Sequence, residues 1–119
     1  YLVHLSIGVR ARHRQLRALY PMVQRTRKPH VVAGDFNMLM GEDEIDLFLA
    51  ATGLQNANHE RLPTYPSRRP YRHLDFILYS QGITVRDFRV PQVEFSDHLP
   101  LVVDLDVDVP HDLRRLPRA

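Results

Sequence analysis

The spacing of hydrophobic residues predicts an alternation of strands and helices in the first third of the chain. Short apolar runs that include β-branched residues predict strands over residues 1–6 and 31–33. Between these runs, apolar residues recur at helical spacing over residues 10–27. Pro21 lies inside this pattern, which predicts a kink or break near Tyr20.

The rest of the chain continues the alternation. Acidic residues at 42–44 are typical of a helix start, and Gly53 is a plausible end of that helix. Residues 56–72 are polar and contain three prolines, which predicts a long surface loop of the kind that is often functional. Three further strands are predicted over 74–79, 83–90 and 101–107. This order indicates an α/β fold with one mixed β-sheet and helices on one face.

Composition limits the possible classes of protein. The chain has 119 residues, which is one domain or a piece of a longer protein, and it begins with Tyr1 inside a predicted strand. We assign residues 1–109 to the domain and 110–119 to a Pro/Arg-rich tail. With no cysteine there is neither a disulfide nor a thiolate metal site. No apolar run is long enough to form a transmembrane segment, and the sequence makes no prediction of localisation.

Net charge argues only weakly for a nucleic-acid partner. The formal charge is +2 at neutral pH, although the calculated pI is about 9.3. A basic footprint of this size is small for a protein that binds nucleic acid through charge alone.

Polar side chains lie where the apolar runs end. Asp35 and Asn37 follow the strand at 31–33, and alternation along an extended chain would place both on one side. A lone Asp in such a position is more often a turn former than a catalytic group, but the pair with Asn37 favours function. Gly34 would allow a tight exit or the close approach of a substrate backbone.

Two later motifs add an acid and an imidazole. Asp75 interrupts an apolar strand and would need a partner if it is buried. His98, next to Asp97, is a plausible partner, because a carboxylate would fix its tautomer and favour the imidazolium. His4 could equally be a core histidine or a ligand. Carboxylates, an amide and imidazoles together suit Mg²⁺ or Mn²⁺ and a phosphate ester.

Three motifs in this order resemble the endonuclease/exonuclease/phosphatase superfamily, the DNase I-like proteins. They are GDFN at 34–37, LDFIL at 74–78 and SDHLP at 96–100. VHLS at 3–6 resembles the strand of this superfamily that carries a site histidine, and TYPS at 64–67 resembles its shorter bacterial members. The resemblance implies that this chain is the C-terminal half of such a protein, and therefore half of a four-layer α/β/β/α sandwich.

The resemblance also implies roles for the site residues. Asp35 would orient or deprotonate the attacking water and hold the metal, and Asn37 would contact the phosphate or the water. His98 would bind the scissile phosphate, supported by Asp75. Asp97 would lie near the metal or support it, and His4 would be a second imidazole that faces the phosphate.

The function implied is a divalent-metal-dependent phosphoesterase that hydrolyses phosphodiester bonds as nucleases do, acting on nucleic acid or on a phospholipid head group. One alternative is a phospholipid or sphingolipid phosphodiesterase. Another is a catalytically silent half-domain that acts as an association unit, because the implied N-terminal half would carry the metal-binding Glu. An apolar sheet face left uncovered would then predict self-association.

Overall fold

A computed structural model describes residues 1–41 and 43–108 of the chain. Its elements, in chain order, are β1 (Leu2–His4), α1 (Val9–Arg25), β2 (Val31–Asp35), α2 (Asp43–Thr52), β3 (Gln55–Asn56), β4 (Asp75–Tyr79), β5 (Ile83–Arg89) and β6 (Val102–Val107). The tail predicted over 110–119 and its boundary at residue 109 lie outside the described residues. None of the described helices is long and apolar enough to cross a bilayer.

Four strands form the main sheet in the order β1-β2-β4-β3. β1 pairs in parallel with β2, whereas β4 pairs antiparallel with both β2 and β3. The predicted mixed sheet is thus confirmed. β5 and β6 pair with each other in a separate two-stranded sheet. β3 was not predicted, because a strand of two residues shows no alternation that a sequence pattern could reveal.

Both helices pack on one face of the main sheet, as predicted. Alternation along β2 and β4 directs Val32, Phe76 and Leu78 toward the helices, where they are buried. These side chains form one core with residues of α1 and α2, namely Leu19, Val23, Ile45 and Phe48. The hydrophobic stripe of each helix therefore contributes to a single layer on this sheet.

The opposite face of the sheet is only partly covered in the described part of the chain, where Ala33 and Ile77 are half-buried beside residues 99–101. Leu2 pairs with Ala33 in register, and Ala33 pairs with Ile77, so these apolar residues lie in one row across three strands. Leu2 is 89% exposed at the edge of this row. We call Leu2, Ala33 and Ile77 the open-face row.

α1 is one uninterrupted helix through Pro21, so the predicted break near Tyr20 is wrong. Proline removes one backbone donor and can distort a helix. Here Leu19 and Val23, on either side of Pro21, are both buried in the core. Burial of this stripe outweighs the local preference of a single residue.

A buried ion pair joins the two helices. Arg12 is 0% exposed and donates two hydrogen bonds to Glu44, from Nε to Oε2 at 2.7 Å and from Nη2 to Oε1 at 2.6 Å. Its Nη1 donates to the carbonyl oxygens of Ser6 and Ile7 at 3.2 and 2.6 Å. Arg12 thus differs from Arg14 and Arg17 of the same helix, which are exposed. The guanidinium connects α1, α2 and the loop that leaves β1.

Gly34 is required by the packing of two strands. Its φ is +140°, and a Cβ added there would lie 1.8 Å from the carbonyl oxygen of Val3. The backbone that approaches Gly34 is therefore that of β1, a neighbouring strand, a contact that neither sequence-based alternative, a tight exit or a substrate backbone, included. Glycine alone allows β1 and β2 to pair at this position.

Candidate active site

The strand directions bring separate parts of the chain to one edge of the sheet. β1 and β2 run in parallel, and His4 at the end of β1 pairs with Asp35 at the end of β2. β4 runs in the opposite direction, so its first residue, Asp75, pairs with Asp35. The edge thus carries one imidazole and two carboxylates, and the loop before β6 adds His98.

Asp35 lies between two imidazoles. Its Oδ2 is 3.6 Å from Nε2 of His4 and 3.6 Å from Nε2 of His98, beyond hydrogen-bonding distance in both cases. Its Oδ1 accepts a hydrogen bond from the backbone N–H of Asn37 at 2.9 Å. Burial raises the pKa of Asp35 above its usual range. The hydrogen bond from Asn37 lowers this pKa but does not cancel the effect of burial, and the charge of Asp75 raises it further.

Asn37 does not share a strand face with Asp35, so that part of the prediction is wrong. β2 ends at Asp35, and Asn37 has a φ of +47°, in the left-handed region that Asn tolerates better than most residues. The two residues are instead linked by a side-chain-to-backbone turn. The Asn37 side chain is buried, and its Nδ2 donates to the carbonyl oxygen of Leu5 at 2.6 Å. This bond ties the end of β2 to the end of β1.

Asp75 and His98 make the contact that the sequence predicted. Nδ1 of His98 donates to Oδ2 of Asp75 at 2.8 Å, and its Nε2 consequently faces Asp35. Burial alone lowers the pKa of His98. The hydrogen bond and charge of Asp75, with the charges of Asp35 and Asp97, outweigh burial and raise it above the ordinary value. The imidazolium therefore persists to a higher pH than that of a free histidine.

Sequence reasoning assigned no role to Thr64, which also reaches Asp75. Its Oγ1 donates to the same Oδ2 at 2.6 Å, and the residue is fully buried. The motif TYPS at 64–67, which resembles the shorter family members, is the signal in the sequence that marks this position.

His4 and Asp97 lie at the margin of the site. The side chain of His4 is 78% exposed, so the alternative that it is a core histidine is wrong. Asp97 is exposed, and its backbone oxygen accepts a hydrogen bond from Ser67 at 2.8 Å. Its side chain is not among the grouped ligand atoms described next, although its charge acts on His98.

The donor set partly fits a divalent cation. In residues 1–41 and 43–108, one group of possible ligand atoms within 4.8 Å of one another comes from Asp35, Asp75 and His98. Oδ2 of Asp75 and Nδ1 of His98 already bond to each other, which leaves Oδ2 of Asp35 open to a cation. Mg²⁺ often binds proteins through one or two carboxylates, with water and substrate phosphate as its other ligands. Asp35 suits that role.

Comparison with known proteins agrees with this fold. The chain is 35% identical over 106 residues to a UPF0294 protein of Yersinia pseudotuberculosis, and the match covers 87% of this chain and 40% of that protein. A conserved protein of unknown function from Enterococcus faecalis has a similar structure, with a TM-score of 0.73 and 21% identity over 90% of this chain and 49% of that one. A mannosyl-6-phosphatase of Bacteroides thetaiotaomicron is also similar in structure, with a TM-score of 0.68 and 18% identity. That match covers 88% of this chain and 49% of the phosphatase chain.

The fold and the site define an α/β protein with a carboxylate–imidazole cluster at the edge of a mixed sheet. The sequence profile of the endonuclease/exonuclease/phosphatase family matches residues 3–98, and the chain belongs to this family. Members of the family are hydrolases. The chain spans about 40% of the length of the curated relatives it matches, and about half of the solved structures.

Proposed function

We propose that the protein is a divalent-metal-dependent phosphodiesterase whose chemistry is carried by the cluster at this sheet edge. The observation that supports the proposal is the convergence of Asp35, Asp75 and His98, with the free oxygen of Asp35 facing Nε2 of His98 at 3.6 Å. A carboxylate and an imidazolium at neighbouring positions can act on one phosphate group, the carboxylate on the attacking water and the imidazolium on a phosphate oxygen.

Each of these groups has a role consistent with its surroundings. Asp35 orients the attacking water or accepts its proton, because its carboxylate lies beside the position of the phosphate that His98 binds. His98, held in its charged form by Asp75, donates from Nε2 to a phosphate oxygen. The exposed His4 provides a second imidazole beside Asp35, and Asn37 fixes the turn from which Asp35 projects.

A cation held by Asp35, with Asp97 nearby, would neutralise the charge that develops on the phosphate oxygens. Mg²⁺ is the first candidate and Mn²⁺ the second, because carboxylate and water ligands suit both ions.

We expect hydrolysis of bis(p-nitrophenyl) phosphate that requires Mg²⁺ or Mn²⁺ and stops when EDTA is added. His98→Ala should lower kcat about 100-fold or more, which is the lower range for the loss of a positioned acid or base. The measurement is the rate at which the natural full-length protein releases p-nitrophenolate from this substrate.

The matched control is His59→Ala, because His59 is exposed and lies near Tyr79, at the other end of β4 from Asp75. This variant should keep wild-type activity. Activity that survives EDTA, or survives His98→Ala, would contradict the proposal. Turnover of p-nitrophenyl phosphate or mannose 6-phosphate in preference to the diester would assign the site to monoesters.

Two further measurements distinguish a nucleic-acid substrate from a lipid substrate. Steep loss of binding to DNA as salt increases would favour a nuclease, since phosphate contacts release counterions. A rate that ignores salt but increases on phospholipid or sphingomyelin micelles would favour a lipid phosphodiesterase.

The open-face row supports a second candidate function, which is association. Leu2, Ala33 and Ile77 form an apolar strip on the side of the sheet away from the helices, and Leu2 is 89% exposed. Apolar surface of this kind marks an interaction site when it is contiguous. A catalytically silent form of the chain would act through this face.

The isolated 119-residue chain is expected to form dimers or larger species at micromolar concentration, and Leu2→Asp should shift it toward monomer. Light scattering after size-exclusion chromatography gives the mass. Leu47→Asp is the control, because Leu47 is 74% exposed but lies on α2, on the other side of the sheet. A monomeric parent chain, or an equal effect of both substitutions, would exclude association through the open-face row.

A further inference from the structure

Residues 64–67 make backbone hydrogen bonds to the two residues that flank His98 in the sequence. The N–H of Leu99 donates to the carbonyl oxygen of Thr64 at 2.7 Å, and the N–H of Ser67 donates to that of Asp97 at 2.8 Å. His98 lies between these two bonds. We call residues 64–67 the bracket segment. Its pairing fixes the backbone of His98 at the position from which Nδ1 reaches Asp75.

The hydroxyl of Thr64 fixes the other partner of the pair. Thr64 is 0% exposed, and its Oγ1 lies 2.6 Å from Oδ2 of Asp75 and 3.4 Å from the N–H of Leu74. A backbone N–H can only donate and an ionised carboxylate can only accept. The hydroxyl proton is therefore directed at Asp75, and one carboxylate oxygen accepts from Thr64 and His98 together.

The ring of Tyr65 lies against the imidazole. The two ring centroids are 4.9 Å apart with an angle of 52° between the planes. The carbonyl oxygen of Tyr65 accepts hydrogen bonds from the backbone N–H groups of Tyr71 and Arg72 at 2.9 Å each. These bonds fix the backbone of Tyr65. The bracket segment thus limits both rotation of the Asp75 carboxylate and tilt of the His98 ring.

We propose that Thr64 is a positioning residue for catalysis, which fixes the Asp75 carboxylate so that Nε2 of His98 faces the phosphate. The proposal rests on the proposed function, because it concerns the same site. A purely structural hydroxyl would stabilise the loop without affecting His98. The geometry favours positioning, because the hydroxyl bonds to the same carboxylate oxygen that His98 uses.

The kinetic test compares Thr64→Val, which keeps the shape and removes the hydroxyl, with Thr64→Ser, which keeps the hydroxyl. Thr64→Val should lower kcat about 10- to 100-fold, as is typical when a group that orients a catalytic side chain is lost. KM should change little, and Thr64→Ser should restore most of kcat. In an Asp75→Asn background, Thr64→Val should have no further effect, because the hydroxyl acts through Asp75.

The matched control is Thr52→Val, which removes a hydroxyl that donates to the carbonyl oxygen of Phe48 at 2.7 Å within α2. It should leave kcat unchanged. A Thr64→Val protein that is folded and keeps wild-type kcat would overturn the proposal. So would a Thr64→Ser protein no more active than Thr64→Val.

A second measurement needs no activity and no variant. In the natural full-length protein labelled with ¹⁵N-histidine, the Nδ1 proton of His98 should resonate far downfield. The Thr64 hydroxyl proton should be protected from exchange and show a nuclear Overhauser contact with the Nδ1 proton. Absence of that contact would overturn the positioning arrangement even where an active enzyme is obtained. Its presence in a protein that hydrolyses no phosphate ester would support the arrangement and refute only the proposed function.

Discussion

Gly34→Ala is expected to lower the free energy of unfolding by about 4 kcal/mol or more, in the range where a single substitution indicates a specific steric conflict. A methyl group at this position would lie 1.8 Å from the carbonyl oxygen of Val3. That oxygen belongs to the backbone of a paired strand, so it cannot move without separating β1 from β2. Urea unfolding followed by circular dichroism measures the change.

Gly53→Ala is the control that separates steric conflict from backbone strain. Gly53 also has a positive φ, +73°, but an added Cβ would meet nothing within 4 Å. This substitution should cost only about 1–2 kcal/mol, the penalty of a left-handed conformation for a residue with a side chain. Equal losses for the two variants would show that β1 and β2 tolerate the extra methyl group.

Arg12→Leu is expected to cost about 3 kcal/mol, the lower end for breaking a buried ion pair, because it leaves the half-buried Glu44 carboxylate with only the exposed His13, 3.5 Å away, as a charged partner. The substitution also removes the donors to two loop carbonyl groups, of Ser6 and Ile7. Hydrogen bonds from Arg12 lower the pKa of Glu44, despite its partial burial. The pair therefore stabilises the fold above the ordinary Glu pKa, and this contribution is lost as the pH falls through the lowered value.

Two variants test this assignment by the same unfolding measurement. Arg14→Leu, on the exposed surface of α1, should change the free energy of unfolding by no more than about 0.5 kcal/mol. Replacing both Arg12 and Glu44 with leucine should be less harmful than Arg12→Leu alone, because no unpaired charge remains. A double variant as unstable as the sum of the two single variants would contradict the ion-pair argument.

The layer architecture and one contact of the site could be predicted from the sequence because burial dictates both. An apolar run such as β2 has few alternatives to a buried strand, and the stripe of α1 must face it. A carboxylate placed in an apolar strand needs a donor, and His98 was the candidate that the structure places on Asp75. The catalytic roles of these residues remain predictions.

Other features depend on tertiary contacts that leave no mark on the local pattern. Arg12 has the same sequence surroundings as the exposed arginines of α1, and only the approach of α2 makes it a buried partner of Glu44. Thr64 contacts Asp75 only because a loop returns to the edge of the sheet. β5 and β6 alternate like other strands, and nothing in that pattern indicates that they pair apart from the main sheet.

The position of Asp35 opposite Asp75 has a consequence for folding. Pairing of β2 with β4 closes a long loop that contains α2, β3 and residues 56–72. Pairing of β1 with β2 closes a second loop, which contains α1. Contacts between distant parts of a chain form slowly, because the entropy of loop closure is paid before they are gained. Intermediates that retain only the two helices would therefore have no site. Assembly of the carboxylate–imidazole cluster during refolding would follow completion of the sheet, and recovery of the helical signal would precede it.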